Sequence, residues 1–133
     1  MAILAFTGCT PDEQAAFDAF VASQQSVWTS SDPTIEQWHT TAIAAGWPET
    51  EWRWLACVIR RESGGDPTAF NGRGRDWSLG LTQLNMRSLG RWVAPIIGTQ
   101  FDLLFDGPTN LAVAHALWET SGRTPWRTKR RTC

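Results

Sequence analysis

A glutamate at the end of an apolar helical stripe, Glu62, is the residue of this chain best suited to acid–base chemistry. Leu55, Val58 and Ile59 precede it by seven, four and three residues, so the four side chains share one face of a helix. Removing a carboxyl group from water disfavours its charged form. A carboxyl that stays protonated near neutral pH can donate a proton to a leaving oxygen. The spacing therefore predicts that Glu62 is a general acid.

A second carboxylate, Asp76, follows Glu62 by fourteen residues, in a glycine-rich loop. A second carboxylate near an acid can serve as a base that positions or activates a water. Asp76 could position such a water if it faces the same cleft as Glu62. The other interpretation, which we favour, is a surface aspartate that pairs with Arg73 or Arg75.

The elements that must position these groups are mainly helical. The Glu62 helix is expected to follow Pro48 and to end at residues 63–65, because glycine adopts the left-handed conformation at helix C-termini. Residues 78–85 alternate in polarity and predict a short β-hairpin. Other helices are predicted at about 10–25, 33–45, 86–97, 101–105 and 110–121, with Pro95 ending or kinking the third of these.

Length, charge and cysteine content limit the classes of function. The chain has 133 residues, which fits one domain. Its formal net charge is −1, so the protein as a whole is not attracted electrostatically to nucleic acid. No run of about eighteen apolar residues occurs, so we expect no membrane span. Cys9, Cys57 and Cys133 are too scattered for a zinc site or a disulfide framework. We expect a monomer without metal or cofactor; whether Cys57 bonds to a terminal cysteine stays open.

The chain divides into three parts by pattern. Residues 1–31 are interpreted as an N-terminal helical extension whose stripe of Phe17, Phe20 and Val21 packs on the domain. Residues 32–127 form the domain itself. Residues 128–133 are interpreted as a basic, solvated C-terminal tail.

Residues 59–71 (IRRESGGDPTAFN) and 78–85 (SLGLTQLN) together resemble the soluble lytic transglycosylase (SLT) domain. Later matches are Asn110-Leu111 at a helix start, Gly122, and the Pro125-Trp126 pair. This lysozyme-like family cuts the glycan strands of bacterial peptidoglycan, and the resemblance covers roughly residues 35–127. It implies a mainly α, lysozyme-like domain with a short β-hairpin near the active site.

The resemblance implies cleavage of the MurNAc–GlcNAc β-1,4 bond with formation of 1,6-anhydro-MurNAc ends. Glu62 would act first as acid and then as base, and the partner would be a peptidoglycan strand. One alternative is an inverting hydrolase in which Asp76 positions water, as in the similar goose-type lysozymes. A second is a wall-binding or phage virion structural module that has kept the fold and lost turnover.

The resemblance also implies a set of substrate-binding residues: Ser63, Asn71, Ser78, Gln83, Asn85, Asn110 and Trp118. Structural alternatives remain for three of them. Gln83 could bond the loop backbone, Ser63 could be a polar residue of the helix end, and Asn110 could cap the last helix. Family members usually carry a tyrosine in that helix that reaches the catalytic glutamate. This chain has no tyrosine, and Trp118 or Leu117 falls near its place.

The place of action is expected to be the cell wall. Met1–Gly8 is too short for a signal-peptide core and lacks a basic start. The protein is therefore predicted to be secreted by a signal outside this sequence, or to be phage-encoded and virion-associated or released at lysis.

Overall fold

The computed structural model describes residues 10–24, 28–128 and 132–133 of the chain. This part is mainly α-helical with a small antiparallel sheet, as predicted. Its α-helices are α1 Pro11–Gln24, α2 Pro33–Glu36, α3 His39–Ala44, α4 Trp52–Ser63, α5 Met86–Ile97 and α6 Gly107–Ser121. Short 3₁₀ helices occupy Glu49–Glu51, Phe101–Phe105 and Thr124–Trp126. The strands are β1 Phe70–Asn71, β2 Ser78–Leu79 and β3 Leu84–Asn85.

Helix α4 runs through the core and carries Glu62 at its C-terminal end. Leu55, Val58 and Ile59 are each 0% exposed, as the predicted stripe requires. Burying each such side chain contributes about 1.5–3 kcal/mol, so packing fixes the rotation of the helix about its axis. Gly64 ends the helix in the left-handed conformation with φ of +62°. The position of the Glu62 backbone is therefore set by the core.

Several predicted helix boundaries shift because capping and local hydrogen bonds decide them. The second predicted helix is divided into α2 and α3 at Gln37, which caps α2. Helix α5 continues past Pro95 to Ile97, although the proline was expected to end or kink it. Helix α6 begins at Gly107 because Asp106 accepts from the Thr109 N–H at 3.0 Å and acts as its N-cap.

The sheet has the order β1-β2-β3, with both pairs antiparallel. The predicted hairpin is β2 and β3, while β1 is an additional strand. The register pairs Asn71 with Ser78 and Ser78 with Asn85, so these three polar residues form one row across the sheet. Two residues of strand are too few to show alternation, which is why the sequence did not indicate β1.

The turn between β2 and β3 is held from below by Asn110. This side chain is 0% exposed. Its Oδ1 accepts from the Thr82 N–H at 3.1 Å and the Thr82 hydroxyl at 2.8 Å, and its Nδ2 donates to the carbonyls of Leu79 and Leu104 at 3.0 Å each. Gly80 lies against this amide with φ of +76°, and a Cβ there would collide with it. The prediction that Asn110 binds substrate is wrong, because all its hydrogen-bonding capacity is used inside the core; nor does it cap α6.

Helix α1 forms through its own N-cap. Thr10 Oγ1 accepts from the Glu13 N–H at 3.3 Å, and the Glu13 carboxylate accepts from the Thr10 N–H at 2.8 Å. The bond from the Thr10 N–H, and after it the bond from the Thr10 hydroxyl at 3.0 Å, lower the pKa of the Glu13 carboxyl group. The side chains of Phe17 and Phe20 are both exposed, at 61% and 60%. The packing of this stripe on the domain therefore stays a prediction, while the N-cap stabilises the start of the helix.

The C-terminal end is attached to helix α4. Cys57 and Cys133 form a disulfide with Cα atoms 5.6 Å apart, across 76 residues of sequence. The interpretation of residues 128–133 as a free solvated tail is therefore wrong at its end. Cys9 and residues 129–131 lie outside the described part of the chain.

The disulfide predicts a measurable loss of stability on its removal. The double variant C57S/C133S should lower the free energy of unfolding by about 2–4 kcal/mol, because cross-linking a long loop restricts the unfolded chain. Denaturant unfolding with and without reductant measures this. Reductant should bring the wild type to the midpoint of the variant and leave the variant unchanged. Equal midpoints for oxidised wild type and variant would contradict the prediction.

Candidate active site

A cavity of about 450 Å³ opens at the C-terminal end of α4, and Glu62 forms part of its wall. The other walls come from the β2–β3 turn, β3, the start of α5, the end of α6 and the last 3₁₀ helix: residues 82–85, Ser88, Leu89, Leu117, Ser121, Thr124–Trp126 and Thr128. Of the predicted site residues, this cavity brings together Glu62, Gln83 and Asn85. Elements distant in sequence thus meet around one carboxyl group.

The Glu62 side chain is 24% exposed and is bound by its neighbour Arg61. Arg61 donates to Glu62 Oε1 from Nε at 2.9 Å and from Nη2 at 2.6 Å. Among the described residues, no donor is in hydrogen-bond contact with Oε2. The expected apolar surroundings are therefore only part of the environment of this carboxyl group, since a guanidinium contacts it on one oxygen.

Arg61 is not a solvated surface charge, although arginines near a helix C-terminus commonly are. Its side chain is only 10% exposed, and Nη2 also donates to the Trp126 carbonyl at 2.7 Å. Adjacent residues of a helix point in different directions, so their spacing does not predict a contact between Arg61 and Glu62. Arg60, in contrast, is exposed and donates to the Ser30 hydroxyl at 3.0 Å.

Gln83 lines the cavity while its amide is held by the loop backbone. Nε2 donates to the carbonyls of Ala69 and Gly80, at 3.0 Å each. Two carbonyl partners fix which end of the amide is the nitrogen, so Oε1 is left as an acceptor. Both interpretations of Gln83, backbone partner and cavity residue, therefore fit its position.

The backbone of Gln83 is also unusual. Its φ of +50° lies in the left-handed region, the one non-glycine case in the described residues. Such a conformation costs about 1–2 kcal/mol and persists only where surrounding contacts hold it. Ala69, one of those contacts, follows a turn in which Thr68 donates to the Asp66 carboxylate from Oγ1 and N at 2.8 Å each. These bonds lower the pKa of Asp66, the hydroxyl contributing most.

Trp126 connects the two sides of the cavity. Its indole Nε1 donates to the Thr82 carbonyl at 3.1 Å, while its own carbonyl accepts from Arg61. The side chain is 6% exposed, and its ring packs edge-on against Trp54 with centroids 5.6 Å apart. The Pro125-Trp126 pair was recognised in the sequence as a family match, but its place in the cavity wall was not predicted.

Asp76 is bound by two asparagine amides. Its Oδ1 accepts from Asn85 Nδ2 and its Oδ2 from Asn71 Nδ2, both at 3.2 Å. In the described part of the chain no ion pair joins it to Arg73 or Arg75, so the predicted pairing is wrong, although Asp76 is an exposed surface residue as we interpreted it. The amides instead lie beside it because the sheet register places both asparagines in one row.

Asp76 lines a neighbouring cavity, not the one that Glu62 lines. This second cavity, of about 490 Å³, is formed with Arg75, Asn85, Arg87 and Ser88. Asn85 and Ser88 belong to both cavities, so they are adjoining parts of one groove. Asn85 also caps α5, since its Oδ1 accepts from the Arg87 N–H at 3.0 Å.

Three further predicted residues do not line the Glu62 cavity. The Ser63 hydroxyl donates to the Ile59 carbonyl at 3.1 Å and accepts from the Gly65 N–H at 3.2 Å. These contacts fit the alternative interpretation of Ser63 as a polar residue of the helix end. Asn71 lies in β1, bound to Asp76. Ser78 is 7% exposed in the central strand.

The prediction that Trp118 faces the site is wrong. Its ring packs on Trp47 and His115, with centroids 5.3 and 5.7 Å apart. Leu117, one position earlier, points into the Glu62 cavity and is 4% exposed. A one-residue shift turns a helix by about 100°, and the sequence could not choose between these two apolar residues.

No helix in the described part of the chain is both long enough and apolar enough to cross a membrane. Over the same residues, no group of three or more histidine, cysteine or acidic side chains is arranged to hold a metal ion.

Comparison with known proteins gives one match. No curated protein and no solved structure matches the chain significantly. The family model described as the transglycosylase SLT domain matches residues 40–125, from α3 to the last 3₁₀ helix. This segment contains Glu62, Gln83 and most of the cavity wall. The family comprises lysozyme-like, transglycosylase-type enzymes that act on peptidoglycan. On this match over most of its length, the chain belongs to the transglycosylase SLT domain family.

Proposed function

We propose that this protein is a lytic transglycosylase that cleaves the MurNAc–GlcNAc β-1,4 bond of peptidoglycan, with Glu62 as its single acid and base. The observation that supports this most is the shared cavity of about 450 Å³, in which the Glu62 carboxyl group lies with Gln83 and Asn85. A groove of this size accommodates sugar rings, and it presents one carboxyl group as a proton donor.

The reaction needs no second carboxylate. Glu62 protonates the glycosidic oxygen, and the bond from that oxygen to the anomeric carbon of MurNAc breaks. The resulting carboxylate then takes the proton of the MurNAc 6-hydroxyl, whose oxygen bonds to the anomeric carbon. A 1,6-anhydro end forms without consuming water. Because the nucleophile belongs to the substrate, holding the sugar in position supplies much of the acceleration.

Gln83 and the apolar wall would hold that sugar. With Nε2 committed to two carbonyls, Gln83 Oε1 can accept from a sugar hydroxyl or an acetamido N–H. Leu89 and Leu117 offer apolar surface to a pyranose face, and Asn85 and Ser88 offer polar groups further along. This division into an apolar wall and a few fixed polar groups is typical of small-ligand sites.

The position of Asp76 supports a second candidate, an inverting hydrolase. Its carboxylate lies in the part of the groove that adjoins the Glu62 cavity through Asn85 and Ser88. A water held there could attack the anomeric carbon. Both Asp76 oxygens already accept amide hydrogen bonds, which favours a structural role over that of a base.

A non-catalytic wall-binding or virion module is the remaining alternative from the sequence. The tyrosine that family members usually carry is missing, and the last helix presents Leu117 to the cavity. The loss of a polar contact to the glutamate favours a non-catalytic module. The groups that do the proposed chemistry are nevertheless together in one cavity. We propose that the protein acts at the cell wall as a monomer, after secretion or as a phage-encoded component.

Muropeptide analysis tests activity and reaction type together. Wild-type protein incubated with purified peptidoglycan should release products that end in 1,6-anhydro-MurNAc, identified by mass spectrometry. The variant E62Q should be slower by about 10²–10⁴-fold, because it cannot transfer the proton. Unchanged release by E62Q would contradict the assignment of Glu62. Products with reducing ends would show that the reaction is hydrolysis and not transglycosylation.

The variant D76N separates the two reactions. A transglycosylase should keep its rate to within a few-fold, because Asp76 does not line the cavity of the acid. A hydrolase that needs Asp76 as its base should lose about 10²-fold or more. Initial rates of muropeptide release, with folding checked by circular dichroism, measure this difference.

Two substitutions of Gln83 separate its contact from its backbone conformation. Q83G and Q83A should lose similar activity, because both remove the amide. Q83G should nevertheless be more stable than Q83A by about 1 kcal/mol, since glycine tolerates the φ of +50°. Thermal unfolding and muropeptide release measure the two effects. Wild-type activity in either variant would show that the Gln83 side chain does not bind substrate.

A further inference from the structure

We propose that Arg61 is a positioning residue for Glu62: it holds Oε1 and leaves Oε2 as the oxygen that gives and takes the proton. This inference rests on the proposed function of Glu62. Two nitrogens of Arg61, Nε at 2.9 Å and Nη2 at 2.6 Å, donate to the same oxygen of Glu62, Oε1. No described residue donates to Oε2, so that oxygen is the one left for substrate.

Arg61 contacts the carboxyl group from behind the cavity. It does not line the cavity of Glu62; it lines two others, on the side of the disulfide and the last residues of the chain. Its side chain is 10% exposed and that of Glu62 is 24% exposed. The guanidinium therefore lies between the carboxyl group and the C-terminal segment, where it does not touch substrate. Its effect on the reaction must pass through Glu62.

The position of Arg61 is itself fixed from two directions. Nη2 donates to the Trp126 carbonyl at 2.7 Å, and Nη1 lies 3.6 Å from Cys133 Sγ. Cys133 is bonded to Cys57 on the same helix as Glu62. A planar guanidinium can address a carboxylate and a carbonyl at once, whereas the single ammonium of lysine lacks that fork. The site therefore uses the shape of arginine as well as its charge.

This geometry suits both halves of the proposed reaction. As the proton leaves Oε2 for the glycosidic oxygen, negative charge develops on the carboxyl group. A guanidinium already in contact with Oε1 stabilises that charge without having to reorganise. When Oε2 then accepts the proton of the 6-hydroxyl, Arg61 keeps the carboxylate in the same rotamer. Leu117, which occupies the opposite wall, cannot supply either contact.

Three variants of the full-length protein test this: R61M, R61K and the control R60M. Arg60 is the neighbouring, exposed arginine, which donates to Ser30. The measurements are kcat and KM on soluble peptidoglycan fragments across a range of pH, with unfolding midpoints for each protein. Muropeptides from E62Q serve as the reference for loss of the acid.

R61M should lower kcat by about 10²-fold with little change in KM, as misplacement of a catalytic group does. The loss of kcat should exceed any loss of folded protein, because Arg61 acts on the position of Glu62. No other titratable side chain of the described residues lines the Glu62 cavity. Arg123, paired with Glu51, and Arg127 line the cavity behind Arg61 and stay in place in every variant.

R61K separates charge from geometry. It should keep KM near the wild-type value while kcat falls by about 10-fold, because the charge remains and the fork is lost. R60M should have wild-type values. If R61M does not fold, R61K decides by itself. Wild-type kcat in R61K and R61M, or a loss of kcat that only follows the folded fraction, overturns the proposal. Activity in E62Q would instead remove the proposed function.

Discussion

Two hydrogen bonds of Trp126 join the helix that carries Glu62 to the turn that carries Gln83. Its carbonyl accepts from Arg61 and its indole N–H donates to the Thr82 carbonyl. The residue is 6% exposed, so losing either bond would leave a poorly hydrated polar group without its partner, at a cost of about 1–3 kcal/mol. The width of the groove between the carboxyl group and the amide thus depends on a residue close to the end of the chain.

The turn that Trp126 holds is energetically unfavourable by itself. Gly80 and Gln83 both have positive φ, and only glycine tolerates this without strain. The Asn110 amide offsets the cost through its four hydrogen bonds to Thr82, Leu79 and Leu104, all made where water is excluded. A buried polar residue therefore holds a strained turn in place, and with it the Gln83 amide in the cavity wall.

Local features of the sequence predicted the parts of the fold that depend on local forces. The apolar stripe of α4, its stop at Gly64 and the hairpin after Ser78 follow from periodicity and glycine conformation. The contact of Arg61 with Glu62 does not follow from local features, because the Trp126 carbonyl, distant in sequence, also holds the guanidinium. The bonds from Asn71 and Asn85 to Asp76 depend on sheet register, and the choice of Leu117 over Trp118 depends on helix rotation.

The absence of tyrosine has a structural counterpart in this chain. Leu117 of the last helix lies in the wall of the Glu62 cavity, 4% exposed, and its side chain has no hydrogen-bonding group for the glutamate. Here the polar contact comes from Arg61, within the helix of the glutamate itself and behind the cavity wall. A hydroxyl offers one donor, whereas the guanidinium places two donors on one carboxyl oxygen. Because Arg61 makes this contact from behind the wall, the cavity side of the carboxyl group stays open.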